Sequence, residues 1–206
     1  MDNRAEDGLE KEHGLSMWIE VEGRRILFDT GAGSKFQSNA RKLGIDVYTA
    51  DHLILSHGHY DHTGGVGSFL QHSRQSHVYC HPGAIHPRYA VRNGSGTSIQ
   101  MPHESIAALD KLSAERLHWV QGPLHLDEHI GLTGHIPRKT SFESPGGPFY
   151  FDPAGQRPDP IDDDMALWIR TRKGLVVVTG CCHAGVINTL DYVFRLNNGM
   201  KICALI

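Results

Sequence analysis

The sequence predicts a layered α/β fold (α/β with α+β layering), on three observations. First, the 206 residues are 39% hydrophobic and 21% charged, which is typical of a globular chain with one sizeable core. Second, His52–Cys80 has the pattern of a strand, a glycine-bearing loop, a short helix and a second strand. Third, Met165–Thr179 has the pattern of a β-hairpin, and a helical pattern follows it. We therefore expect a single domain over 1–206, with a loop-rich insertion over about 82–160.

Strands that lead into polar loops dominate the predicted first half. Leu15–Val21 alternates in character and Arg25–Phe28 is apolar, so with a turn at Gly23 the two segments form a predicted hairpin. Asp29 directly follows the second strand of this hairpin. The other predicted elements of this half are a helix over 35–43 capped by Ser34, a strand over His52–Leu55, a helix over Val66–His72 and a strand over His77–Cys80.

The second half begins with the proline-rich insertion, where the patterns are weak. A clear hairpin then joins two apolar runs through a turn at Lys173-Gly174 and points towards His183. The predicted elements from the insertion onwards are a helix over Ile106–Leu112, strands over Leu117–Val120 and Ile130–Ile136, the hairpin strands Met165–Thr171 and Leu175–Thr179, a helix over Ala184–Leu196 and a strand over Ile202–Ile206.

Composition excludes several classes of protein. The 20 basic and 23 acidic residues give a net charge of -3, so the basic surface of a nucleic-acid-binding protein is absent. No apolar run approaches the ~18 residues of a membrane span, and Met1–Gly14 is charged and lacks the apolar core of a signal peptide. The four cysteines include the adjacent pair Cys181 and Cys182, which is not a disulfide framework. We therefore expect a cytoplasmic protein with reduced thiols that binds neither nucleic acid nor membrane.

A histidine-rich segment, His57-Gly58-His59-Tyr60-Asp61-His62, follows the predicted buried strand. Three imidazoles and a carboxylate at this density suit a divalent transition metal. His57 and His59 lie two apart, so on extended backbone they share one side at about 6.5 Å between Cα atoms. Asp61 and His62 are adjacent, so their side chains would diverge on a straight strand. They suit a second ion once the loop bends. The alternative is a solvated histidine-rich loop. We expect two divalent ions, with Zn²⁺ favoured and Mn²⁺, Fe²⁺ or Mg²⁺ as alternatives.

Other residues with suitable chemistry also stand at ends of predicted strands. His183 follows a buried strand through a glycine turn and is a further candidate ligand, although a helix-start histidine without metal has the same pattern. Asp29 is placed to orient a ligand histidine. His135 and Arg138 are candidates for substrate contact, Arg138 for an anionic group, and ordinary loop residues are the alternative. We interpret the acidic run at 162–164 as a solvated strand start.

These motifs resemble a known family. Ser56–Gly65 resembles the H-x-H-x-D-H signature of the metallo-β-lactamase superfamily, and Asp29–Gly31 resembles its first, supporting motif. A more particular likeness is to the subgroup labelled 7,8-dihydropterin-6-methyl-4-(β-D-ribofuranosyl)aminobenzene-5'-phosphate synthase-like. The segments that carry this second likeness are Glu12–Ser16, Leu132–Arg138, Asp163–Leu167 and Thr179–Gly185.

The resemblance implies an αββα sandwich with two metal ions at one edge, here without the first and last strands of the family's fold. A glycine-glycine-x-histidine segment, which supplies the family's last ligand, is expected directly after Ile206. The chain also departs from the subgroup pattern at three positions, with Cys182 in place of serine, His135 in place of glutamate and Met165 in place of glutamine. Unpaired sheet edges would favour self-association.

The motifs and the family resemblance together predict metal-dependent hydrolysis. His57, His59 and His183 would hold one ion and Asp61 and His62 a second, and a metal-bound hydroxide would attack a phosphoester, carboxylic ester or lactone. Asp61 would be the catalytic group that orients or deprotonates the nucleophile. The expected partner is a small-molecule substrate, and the transferase hypothesis predicts that it carries phosphate. The alternatives are a transferase that joins a dihydropterin pyrophosphate to an aminobenzene ribotide, as in methanopterin-type biosynthesis, and a truncated, non-catalytic metal-binding protein.

Overall fold

The computed structural model describes residues 6–206. Within this range its strands are β1 (Met17–Val21), β2 (Arg24–Phe28), β3 (His52–Ile54), β4 (His77–Cys80), β5 (Tyr89–Arg92), β6 (Ser95–Ser98), β7 (Leu117–Trp119), β8 (Leu124–His125), β9 (Ile130–Leu132), β10 (Phe149–Tyr150), β11 (Leu167–Thr171), β12 (Gly174–Val178) and β13 (Ile202–Leu205). Its α-helices are α1 (Lys35–Lys42), α2 (Tyr60–Thr63), α3 (Val66–His72), α4 (His103–Asp110) and α5 (Val186–Leu196).

The chain divides into two compact units. Of the described residues, the first unit contains 6–80 together with 84–87 and 99–119. The second unit contains 81–83, 88–98 and 120–206. Both units mix helices with sheet, which confirms the predicted α/β class.

A five-stranded sheet in the order β1-β2-β3-β4-β7 forms the centre of the first unit. β1 and β2 are the predicted antiparallel hairpin, and β2, β3, β4 and β7 run parallel. Phe28 at the end of β2 pairs with Ile54 at the end of β3. Because parallel strands end at the same edge, the residues that follow β2 and β3 are brought together there.

The core of the first unit lies between this sheet and its helices. Phe36 on α1, Phe69 on α3 and Leu109 on α4 are buried in one cluster with Leu53 of β3. β3 is buried on both faces, as is usual for a central parallel strand, which explains its continuous apolar sequence. The helices therefore fix the strand that leads into the histidine-rich segment.

The second unit is built on a sheet in the order β13-β12-β11-β9-β8 and a small sheet in the order β10-β5-β6. The predicted hairpin is β11 and β12, which close at a turn where Thr171 pairs with Gly174. Trp168 on β11, Val177 on β12 and Val193 on α5 pack in one buried cluster. The parallel strand β13 then returns beside β12.

Several predicted boundaries differ from the structure. The helix predicted over Ile106–Leu112 begins at His103 and ends at Asp110, and the strand predicted over Ile130–Ile136 ends at Leu132. The β5–β6 hairpin inside the insertion was not predicted. Its turn is Asn93-Gly94 with positive φ at both residues, which is the commonest tight hairpin signal in sequences.

The acidic run at 162–164 is not a solvated strand start, so that expectation is wrong for two of its three residues. Asp163 and Asp164 are buried, whereas Asp162 is exposed. Arg88 is 1% exposed; its Nη1 donates to Asp163 Oδ2 at 2.9 Å and its Nε lies 2.9 Å from Asp159 Oδ2. The charge of the guanidinium explains why buried carboxylates are tolerated.

No helix among residues 6–206 is long and apolar enough to cross a bilayer. The cytoplasmic location, the single domain and self-association through sheet edges stay predictions. β1 and β7 are the outer strands of the first sheet, and β13 and β8 are those of the other five-stranded sheet.

Replacing Arg88 with methionine should destabilise the protein strongly. Two buried carboxylates would lose their cation, and breaking a buried pair in this way costs about 3–5 kcal/mol. The matched control is Arg157→Met, because Arg157 is exposed and its ion pair with Asp152 contributes less than about 1 kcal/mol. Urea denaturation checks both variants, and equal midpoints for them would contradict the role given to Arg88.

Candidate metal centre

The histidine-rich segment starts where β3 ends. The Leu55 N–H still donates to the Tyr79 carbonyl at 2.9 Å, and Ser56 and His57 are fully buried. The His57 Nδ1 atom lies 2.9 Å from Ser56 Oγ, which orients the imidazole ring. His57 therefore presents its Nε2 atom to the residues that follow.

His57 and His59 face each other through their ring nitrogens. His57 Nε2 lies 2.9 Å from His59 Nδ1, and the ring centroids are 4.5 Å apart. Gly58 between them packs against the backbone of Ala84, where an added Cβ would lie 2.0 Å from the carbonyl oxygen. The close approach of the two histidines thus depends on glycine at position 58.

Asp61 and His62 lie on the single turn of α2, which the sequence did not predict as helix. The His62 N–H donates to the His59 carbonyl at 3.1 Å, and the Thr63 hydroxyl donates to the same oxygen at 2.8 Å. The turn places His62 Nε2 3.6 Å from Asp61 Oδ2 and its ring centroid 4.2 Å from that of His57. The bend expected for this loop is therefore a helical turn.

Asp29 connects the end of β2 to this loop. Its Oδ1 accepts the Ser56 N–H at 2.7 Å, and its Oδ2 accepts the Ser56 hydroxyl at 2.6 Å. His62 Nδ1 lies 2.7 Å from the same Oδ2. A carboxylate on one ring nitrogen fixes the tautomer of a histidine, so Nε2 of His62 is left to face Asp61.

Two residues that sequence reasoning did not single out, Thr30 and Ser56, also hold this loop. The Thr30 N–H donates to the His62 carbonyl at 2.8 Å, and the Thr30 hydroxyl donates to it at 3.0 Å. Ser56 contacts both Asp29 and His57. The sequence signal for these two residues was a hydroxyl side chain next to a candidate site residue. That signal is weak, because serine and threonine are common in loops and spacing does not identify their hydrogen-bond partners.

His183 lies in the second unit, after β12, and is largely buried. Burial alone would lower the pKa of His183, but its hydrogen bonds with Cys181 and the Pro145 carbonyl and the charge of Asp164 outweigh burial and raise it. The Arg138 guanidinium donates to the His183 carbonyl at 2.7 Å. The assignment of His183 as a ligand stays a prediction.

The two candidate substrate contacts also lie in the second unit. Besides His183, the Arg138 guanidinium donates to the carbonyls of Pro160 and Ile161. His135 Nδ1 lies 2.9 Å from the Asp162 carbonyl oxygen. Both side chains therefore support loops of this unit, and their roles towards a substrate stay predictions.

Clustered histidines and carboxylates at the ends of parallel strands in a mixed α/β fold define a candidate metalloprotein. The sequence model described as "Metallo-beta-lactamase superfamily" matches residues 10–186. The chain belongs to this superfamily, and the predicted family is confirmed.

Three relatives support this assignment. The 7,8-dihydropterin-6-methyl-4-(beta-D-ribofuranosyl)-aminobenzene-5'-phosphate synthase of Methanocaldococcus jannaschii is 31% identical, with 95% of this chain and 69% of that protein covered. An uncharacterized protein of the same organism is 30% identical, with 96% of this chain and 73% of that protein covered. The crystal structure of Tm1679, a metal-dependent hydrolase of the β-lactamase superfamily, is similar with a TM-score of 0.78 and 29% identity, covering 99% of this chain and 72% of that one. The predicted fold is thereby confirmed.

Replacing Asp29 with asparagine should weaken metal binding by about 10–100-fold, the range seen when a residue that orients a ligand is lost. An amide nitrogen would face His62 Nδ1, which needs an acceptor there if Nε2 is to bind metal. Zn²⁺ titration against a chelating dye measures the affinity. Asp51→Asn is the matched control, since Asp51 also accepts a backbone N–H, from Arg25, but lies beside the start of β3. Equal affinities for both variants would contradict the role of Asp29.

Asp164 should make stability depend on pH. Its burial raises its pKa to about 6, although its Oδ2 accepts the Ala184 N–H at 2.7 Å. Between about pH 4 and pH 6 the folded chain then holds a proton that the unfolded chain has released, so the free energy of unfolding falls as pH rises.

Asp164→Asn should remove this contribution, which is on the order of 2–3 kcal/mol at neutral pH. Urea denaturation of the metal-free protein on both sides of this pH window measures it. The exposed neighbour provides the control, Asp162→Asn, which should keep the pH dependence. An unchanged pH dependence in Asp164→Asn would show that another group is responsible.

Proposed function

We propose that this protein is a metal-dependent hydrolase that acts on a phosphoester, carboxylic ester or lactone. The observation that carries the proposal is the buried group of His57, His59 and His62, in which Ser56 orients the ring of His57 and Asp29 orients that of His62. Imidazoles held in this way are typical of ligands, because a metal-ligating histidine almost always donates its other ring N–H to an oriented partner such as a carboxylate.

The distances in this group are close to the spacing of ligand atoms around small divalent ions. Two ligand atoms at about 2.1 Å from one ion, at a tetrahedral angle, lie roughly 3.4 Å apart. Asp61 Oδ2 and His62 Nε2 are 3.6 Å apart, close to this spacing, whereas the His57–His59 nitrogens are 2.9 Å apart, at hydrogen-bond distance, and would have to separate by about 0.5 Å to share an ion. We propose that the His57–His59 pair contributes to one ion and the Asp61–His62 pair to another, with Zn²⁺ favoured over Mn²⁺, Fe²⁺ and Mg²⁺.

The ions and the side chains of the site have different roles in the proposed reaction. Such ions supply Lewis-acid chemistry and lower the pKa of water towards neutrality. His57 and His62 keep a fixed tautomer through their hydrogen bonds with Ser56 and Asp29, so their Nε2 atoms stay available as ligands without rearrangement. Asp61, whose side chain is largely buried but keeps 11% exposure, orients a nucleophilic water and accepts its proton.

A transferase is the second candidate function. It is supported by the 31% identity to a protein named as a dihydropterin-aminobenzene phosphate synthase. In that case the same residues would act on a dihydropterin pyrophosphate and an aminobenzene ribotide. The two candidates differ in the product: the hydrolase consumes water, whereas the transferase releases pyrophosphate only when both substrates are present.

Metal content tests the site directly. Protein purified without chelator should contain two divalent ions per chain by elemental analysis, and His59→Ala should lose metal because the His57–His59 pair is broken. His72→Ala is the matched control, since His72 is exposed at the end of α3. A nitrophenyl phosphodiester, a lactone and the two-substrate pterin condensation should then be assayed with each variant.

Hydrolysis that is present in the wild type and in His72→Ala and lost in His59→Ala would support the hydrolase. Pyrophosphate release in the two-substrate assay alone would favour the transferase. Bound metal without turnover of any substrate would favour a non-catalytic metal-binding protein. A folded wild-type protein without metal would contradict the proposed site.

A further inference from the structure

His13 lies beside Asp61, outside the residues assigned to the candidate centre. The His13 Nε2 atom is 3.2 Å from Asp61 Oδ2. The His13 side chain is 65% exposed, whereas that of Asp61 is 11% exposed. The same Oδ2 atom therefore lies near the Nε2 atoms of two imidazoles, those of His13 and His62.

The backbone around His13 is fitted to Asp61. Gly14 has a φ of +111°, and a Cβ built at Gly14 would lie 1.9 Å from the Asp61 carbonyl oxygen. The Leu15 N–H donates to that oxygen at 3.2 Å, and the Gly31 N–H donates to the Leu15 carbonyl at 2.8 Å. Only glycine at position 14 allows this approach. The position of His13 relative to the histidine-rich segment is thus fixed by its neighbours in the sequence.

A second contact anchors the same segment from its other side. The Glu12 carboxylate accepts the Gly33 N–H at 3.1 Å, in the loop that leads into α1. Residues on both sides of His13 are therefore bonded to the loop that follows Asp29. An exposed side chain on an anchored segment loses little further freedom when it contacts a carboxylate.

Stability alone does not account for this arrangement. An ion pair or hydrogen bond at such an exposed side chain contributes less than about 1 kcal/mol. A carboxylate ligand, in contrast, depends on outer hydrogen bonds to hold its orientation. From these contacts we propose that His13 is a positioning residue: its Nε2 donates to Asp61 Oδ2 and holds the carboxylate in the orientation in which it serves the ion and the water. The inference rests on the proposed function.

Three variants test the proposal by metal affinity, measured by Zn²⁺ competition with a chelating dye. His13→Ala should weaken binding of the ion held by Asp61 and His62 by about 10–100-fold. His13→Gln should bind nearly as tightly as the wild type, because its amide still donates to Asp61. His72→Ala, an exposed histidine elsewhere in the first unit, should be unchanged.

The visible spectrum of the Co²⁺-loaded protein gives a second readout, since it reports the geometry around the ion. His13→Ala should change the spectrum and His13→Gln should restore it, with thermal unfolding midpoints of the metal-free proteins alike in all variants. Unchanged affinity and spectrum in His13→Ala would overturn the proposal, as would His13→Gln binding as weakly as His13→Ala, which would indicate direct ligation by the imidazole. Asp61→Ala and His59→Ala distinguish failure of the role given to His13 from failure of the proposed metal site. If these two variants also leave metal binding unchanged, the proposed function itself fails.

Discussion

The rest of the candidate centre depends on the buried carboxylate of Asp29. A charge without solvent must be matched by donors, and the oxygens of Asp29 are matched by the N–H and hydroxyl of Ser56 and by His62 Nδ1. The backbone of Asp29 has a φ of +58°, a conformation that costs about 1–3 kcal/mol for a non-glycine residue. Such strain persists only where surrounding contacts determine it, and here the Asp29 N–H donates to the Ile54 carbonyl at 2.9 Å.

The register of two parallel strands makes this interaction possible. Phe28 pairs with Ile54, so the next residue of β2 and the residues after β3 emerge at the same edge of the sheet. A shift of the register by one residue would reverse the side chains of one strand and move Asp29 away from Ser56. The apolar packing of β3 against α1 and α3 opposes such a shift, because it would remove Leu53 from its cluster with Phe36 and Phe69. Core packing and site geometry are therefore coupled through one strand.

Sequence reasoning identified the parts of this arrangement that are local. The spacing of His57, His59, Asp61 and His62 is visible in the sequence, and Asp29 is visible as a polar residue at a strand end. The helical turn of α2 and the role of His13 are not, because both depend on close backbone contacts at glycines that spacing does not reveal. The Arg88–Asp163 contact joins residues 75 positions apart, and a buried ion pair has no periodic signature. The Asn93-Gly94 hairpin was visible but lay in a segment whose other patterns are weak.

The two carboxylates near the histidines differ in what they can do. Both oxygens of Asp29 accept hydrogen bonds from the protein and the side chain is fully buried, so it can orient His62 but cannot reach a substrate. Asp61 is largely buried but its side chain keeps 11% exposure, and its Oδ2 is contacted by imidazoles rather than by backbone N–H donors. A group that exchanges protons with water needs both access and a partner that holds its orientation. Asp61 meets both conditions, and the rigidity that its neighbours require is supplied by Asp29.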